Sequence, residues 1–155
     1  MTHLKIGDSA PAINSVDQNG DAITLEQFKG EKVVLYFYPK DMTPGCTVQS
    51  CNLRDNYQSL LENGYVVLGC SADSPARHIK FIEKHDLPFP LLSDESKAVI
   101  NAYGVWGPKK FMGREYDGIY RTTFVIDKNG IIEDIIEKVN TKEHTSQILN
   151  KQKTS

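Results

Sequence analysis

The chain has 155 residues, a formal net charge of -2, 39% hydrophobic and 25% charged residues, a balance that excludes disordered, collagen-like and disulfide-scaffold classes. This length predicts one domain, residues 1–155, that buries roughly 70% of the unfolded chain's surface. The near-neutral charge offers no basic stripe for nucleic acid or anionic lipid, and three cysteines (Cys46, Cys51 and Cys70) cannot form a fully paired disulfide framework.

The opening segment, residues 1–13, lacks the apolar stretch of a secretory signal, and no run approaches the length of a membrane span. The expected setting is the reducing cytoplasm, with no membrane partner. Residues 32–38 (KVVLYFY) read as a strand buried on both faces, ended by Pro39. Helical spacing of Val48, Leu53, Tyr57, Leu60 and Leu61 predicts one helix over 46–61, with Pro44-Gly45 as the turn before it and Asn63-Gly64 as its close. Residues 65–70 form a second buried strand. Ser74-Pro75 starts a helix that runs to about His85, and Pro88 and Pro90 frame a short strand at 89–92. A short helix over 97–103 precedes a loop through Gly118, where Trp106 and Phe111 serve core or loop packing. Strands at 120–127 and 131–138 flank Lys128-Asn129-Gly130, a hairpin signal, and a final helix begins at Thr141. Strands alternating with helices predict an α/β fold with a central mixed sheet flanked by helices.

The cysteines carry the chemistry. A loop leaving a buried strand delivers Cys46 to a helix start, where orphan N–H groups and the helix dipole favour thiolate, the nucleophilic form. Thr43 is placed to hydrogen-bond the sulfur or its substrate. Five residues of helix separate the Cα atoms of Cys46 and Cys51 by roughly 8.6 Å, beyond the roughly 7 Å that a disulfide spans. A bridge between them therefore requires the first turns to unwind. Metal binding would need two further ligands, yet only Cys70 in a strand and the scattered His3, His78, His85 and His144 are available. A thioredoxin-type oxidoreductase would need C-x-x-C, which is absent. Cys70 reads as a small core residue. Arg121, just before the strand TTFVID, reads either as a guanidinium at the sheet's end beside the thiolate or as a surface arginine. No histidine forms an evident dyad with a cysteine.

The run YPKDMTPGCTVQSCNLRD resembles the peroxiredoxin signature, with Pro39, Thr43 and Cys46 at its P-x-x-x-T-x-x-C positions. With FPLLSDE, YGVW, YDGIYRTTFVID and GDSAPAI, residues 4 to about 150 resemble the bacterioferritin comigratory protein group, the Q type of peroxiredoxin. The resemblance implies a thioredoxin-like fold and a thiol peroxidase that reduces hydrogen peroxide and organic hydroperoxides with no cofactor. It implies that Cys46 is the peroxidatic cysteine and Cys51 the resolving one, joined in an intramolecular disulfide that thioredoxin or a similar dithiol reduces. Pro39 matches the residue that shields the site, Thr43 the hydroxyl that contacts thiolate and peroxide, and Arg121 the arginine that activates both. Gln49 stands where many peroxiredoxins carry a glutamate that orients the arginine. A resolving cysteine within the chain favours a monomer. The alternative is a redox sensor or chaperone-like protein using the same thiol switch.

Overall fold

In the computed structural model, which describes residues 2–153, a short antiparallel hairpin comes first, β1 (Asn14–Val16) and β2 (Ala22–Thr24). The Asp17 carboxylate turns it by accepting from the N–H groups of Asn19 and Asp21. There follow β3 (Lys32–Phe37), α1 (Pro44–Asp55), α2 (Tyr57–Glu62), β4 (Tyr65–Ser71), α3 (Pro75–His85) and β5 (Leu91–Ser93). The chain continues through α4 (Ala98–Ala102), β6 (Trp106–Phe111), β7 (Arg114–Ile119), β8 (Thr122–Ile126), β9 (Ile132–Ile136) and α5 (His144–Lys153).

The central sheet has the order β5-β4-β3-β8-β9. Strands β3, β4 and β5 are parallel, while β8 runs antiparallel to both β3 and β9. Such a parallel core needs helical crossovers and burial on both faces. The alternation of strand side chains divides the core. Val33, Leu35, Phe37, Cys70, Leu92 and Phe124 pack on one face with Val99 and Ile100 of α4. Val34, Tyr36, Tyr38, Val67, Leu91 and Val125 pack on the other with Cys46, Leu53, Leu60, Phe81 and Ile148 from α1, α2, α3 and α5. Cys46 and Cys70 are thus separated by the sheet itself.

Three expectations need correction. The helix predicted without interruption over 46–61 begins at Pro44 and breaks at Asn56, whose side-chain amide donates to the Asn52 carbonyl at 2.8 Å and competes with the helical ladder. The loop expected through Gly118 is the β6–β7 hairpin, turned by positive φ at Met112 (51°) and Gly113 (81°), as two-residue hairpin turns require. Most of its residues are exposed, so no hydrophobic alternation marks it, and Phe111 is 65% exposed rather than core. The last helix begins at His144, after a turn in which the Glu143 N–H bonds the Asn140 carbonyl. Among the described residues no helix is long and apolar enough to cross a membrane.

Candidate active site

Strand β3 ends at the sheet's carboxyl edge, where open α/β sheets place their sites. The chain bends at the half-buried Pro39 and enters α1 through the extended N-cap Thr43. Pro44, lacking an N–H, occupies the first helical position, where none is needed. The first helical bond runs from the Thr47 N–H to the Thr43 carbonyl at 2.9 Å. The amides of Gly45 and Cys46 therefore lie in the turn that has no intrahelical acceptors, at the positive end of the helix. Thr43 does not cap this turn with its side chain; its hydroxyl donates to the Lys40 carbonyl at 2.8 Å. Its hydrogen is thus spent on the loop and only its lone pairs remain for a ligand.

Arg121 is brought to this helix start by strand register. Phe37 pairs with Thr122 across β3 and β8, so the preceding residue lies beside the end of β3. Its guanidinium donates from Nη2 to Cys46 Sγ at 3.4 Å and from Nη1 to Gln49 Oε1 at 2.7 Å. Of the two positions the sequence allowed, Arg121 takes the one at the sheet's end, with its guanidinium against the Cys46 sulfur. Gly45 makes room for it, since a Cβ there would lie 3.2 Å from Nη2. Gln49 is fully buried, and its amide nitrogen has no hydrogen-bond partner among the described residues. The oxygen it turns to Arg121 does the orienting that a carboxylate would do, without adding negative charge beside the sulfur.

Cys46 is entirely covered, and Cys51 is half-buried on the same unbroken helix; both are free thiols. Beneath α1, Tyr36 Oη and Ser50 Oγ share a hydrogen bond of 2.9 Å. Asn52 fastens the helix to α5: its amide donates to the Lys142 carbonyl at 2.7 Å and accepts from the Thr145 N–H at 2.9 Å. Cys70 lies on the other face of the sheet, buried in β4, where burial and then the Asp94 carboxylate push its thiol well above the ordinary value. Lys109, which no sequence signal singled out because its hairpin was not recognised, bonds the Ile119 carbonyl at 2.9 Å. Partial burial and then Arg121 lower its pKa, with Cys46 opposing. His78 and His144 are buried in polar networks of their own and neither bonds Cys46.

A cysteine at a helix start under an arginine is a recurring arrangement, and the whole chain shows which lineage this one comes from. The pattern of the AhpC/TSA family matches residues 6–135. The peroxiredoxin Bcp of Escherichia coli strain K12 is 49% identical over 150 residues, covering 97% of this chain and 96% of the relative. Among solved structures, a mutant PrxQ of Xylella fastidiosa superimposes with a TM-score of 0.92 at 30% identity, covering 99% of this chain and 98% of that one. The bacterioferritin comigratory protein of Xanthomonas campestris superimposes with a TM-score of 0.87 at 30% identity, again covering 99% and 98%. The mixed sheet with its flanking helices is accordingly the thioredoxin-like fold of these proteins. Sequence and architecture agree over nearly the full length, and the chain belongs to the AhpC/TSA family as a peroxiredoxin of the Bcp group, a thiol-dependent peroxidase.

Proposed function

We propose that Cys46 is the attacking thiol of this peroxidase, that Cys51 resolves it, and that a dithiol protein such as thioredoxin regenerates both. The observation that carries the reading is the Arg121 fork, which holds Cys46 Sγ with one nitrogen and Gln49 with the other at the first turn of α1. In the first step the Cys46 thiolate attacks the terminal oxygen of ROOH and the O–O bond breaks. The departing alkoxide takes a proton to leave as ROH, and sulfur, oxidised by two electrons, becomes a sulfenic acid. Negative charge moves from sulfur to the leaving oxygen. The Arg121 guanidinium and the free amides of the first turn are fixed donors for it, while Pro39 shields the site and the Thr43 lone pairs accept the peroxide hydrogen. In the second step Cys51 displaces hydroxide from the sulfenic acid, giving a disulfide and water. In the third an external dithiol exchanges with that disulfide and is itself oxidised. Hydrogen peroxide and organic hydroperoxides are the substrates in this reading; the Xanthomonas campestris relative is described by its alkyl peroxide reduction activity.

The test is steady-state peroxide consumption with a thioredoxin system. Cys46→Ser is expected to abolish turnover, and retained thioredoxin-dependent activity would refute the assignment. Cys51→Ser is expected to consume about one peroxide equivalent per chain and then stall unless a small thiol is supplied. Undiminished thioredoxin turnover in that variant would instead point to Cys70.

A further inference from the structure

Behind the loop that carries Thr43 lies a polar cluster that takes no part in the chemistry above. Tyr38, Asp41 and His78 are at most 1% exposed. Tyr38 Oη donates to Asp41 Oδ1 at 2.5 Å, and His78 Nδ1 stands 2.6 Å from Asp41 Oδ2. His78 Nε2 lies 2.9 Å from the Leu92 carbonyl. A carbonyl only accepts, so Nε2 is the donor to Leu92, and Nδ1 is the ring atom that faces the carboxylate. The Asp41 backbone N–H donates to Asp73 Oδ2 at 2.8 Å, an oxygen that also accepts from Ser71 Oγ at 2.7 Å. Arg77 completes the outer side, donating to Asp73 Oδ1 at 3.0 Å and to the Asp41 carbonyl at 3.4 Å. Asp41, Asp73 and His78 are of metal-ligating type and lie close together, yet each ligand atom is engaged by a protein donor or acceptor. The cluster is built to hold protein.

What it holds is a strained turn. Met42, directly after Asp41, has φ 70°, a left-handed conformation that costs an L side chain energy and persists only where the surroundings over-determine it. Thr43 and the first turn of α1 follow at once. The Thr43 side chain does not cap the free amides of that turn, whereas the cluster ties the loop to β3, β4, α3 and β5 together.

We infer that Asp41 and His78 are positioning residues for peroxide reduction: with Tyr38 and Asp73 they hold the turn at Met42, and through it the helix start, in the geometry that sets Cys46 against Arg121. The inference rests on Cys46 being the attacking thiol. Burial, before any neighbour, keeps the Tyr38 phenol well above its ordinary value, consistent with a permanent donor to Asp41. Attack on peroxide depends on alignment of sulfur and donors, whereas turnover at saturating peroxide is set by resolution and reduction, for which α1 must unwind. Loss of the cluster therefore reads in kcat/KM for peroxide and not in kcat.

The experiment compares four proteins with hydrogen peroxide and thioredoxin: the parent, Tyr38→Phe, the double variant Asp41→Ala with His78→Leu, and Cys46→Ser. The double variant leaves no unpaired buried charge, and Tyr38→Phe keeps the ring packing should the double variant not fold. Misplacement of a reacting group by an ångström or less predicts a fall in kcat/KM of about tenfold for the double variant and about threefold for Tyr38→Phe, with kcat within about twofold. Slower iodoacetamide alkylation of Cys46 in the reduced variants accompanies it. Unchanged kcat/KM in the folded variants, or equal falls in kcat and kcat/KM as a smaller folded fraction would give, overturns the inference. Activity surviving in Cys46→Ser would instead overturn the assignment of the attacking thiol.

Discussion

Cys46 and Cys70 carry the same side chain and are both fully covered, yet their surroundings point them to opposite fates. Cys46 faces an arginine fork and a helix start, while Cys70 is enclosed by aliphatic and aromatic neighbours on the far face of the sheet. Burial, reinforced by Asp94, raises the Cys70 thiol and disfavours its thiolate. Native protein treated with iodoacetamide at neutral pH is therefore expected to leave Cys70 unmodified, with labelling only after denaturation. Peptide mass mapping checks this, and native labelling of Cys70 would contradict its core role. At this scale Cys46 was legible from the sequence because its cue, a turn into a helix, is local. The Arg121 contact spans 75 positions, and the residues alone left its place open; strand register puts it beside Cys46. Asp41 and His78, 37 positions apart and ordinary in a polar sequence, carried no signal at all.

Among the elements, α1 matters most. It ends at Asn56 rather than running on to the end of α2, so its first turns can change without dragging along Leu60, which is fully buried in the core. Asn52 fixes the stretch just after Cys51 through two hydrogen bonds to Thr145 of α5 and one to Lys142 just before it. In the proposed cycle, unwinding then has a natural stopping point. Hydrogen exchange of the oxidised protein is expected to show lost protection from Thr47, the first amide bonded within the helix, to Cys51 and retained protection beyond Asn52, with Asn52→Ala extending the loss toward Asn56. Equal protection of this stretch in reduced and oxidised protein would contradict the unwinding. The strands of the central sheet and α3 were readable to within about two residues, because buried runs and Ser-Pro starts leave strong periodic and capping cues. The β6–β7 hairpin was not. A two-stranded ribbon exposed on both sides, with Lys109, Lys110 and Glu115 along it, has no buried face to impose an alternation.

For the whole molecule, acid stability follows from a histidine that was unremarkable in sequence. His144 is buried, shares a hydrogen bond of 2.7 Å with Thr123 and joins α5 to β8. Burial, and to a lesser degree Arg121, hold its pKa below 6.5 against the opposing Gln147 hydrogen bond. As pH falls through the ordinary value the unfolded chain takes up a proton that the folded protein refuses, so the unfolded state binds more protons and stability rises with pH. The contribution is complete above 6.5 and drains away on acidification, at no more than about 1.4 kcal/mol per pH unit for one group. His85, lowered by burial and then by Lys84 and Arg54, acts in the same direction. Thermal unfolding followed from about pH 7 to about pH 5.5 is expected to show a falling Tm, with a shallower slope in His144→Gln even though that variant loses the Thr123 contact. An unchanged slope would assign the acid sensitivity elsewhere.

The break at Asn56 also has a thermal consequence. Attack on peroxide by a prearranged thiolate involves little rearrangement, whereas closing the proposed Cys46–Cys51 bridge waits on a local melting event, and melting carries a steep temperature dependence. On cooling the second step slows more than the first, and the sulfenic acid at Cys46 stays longer in the wound helix, exposed to a second oxidant molecule. Cold and abundant peroxide together would then drive this chain toward irreversible sulfinic acid, so that the seam between two short helices sets the temperature at which the catalyst begins to consume itself.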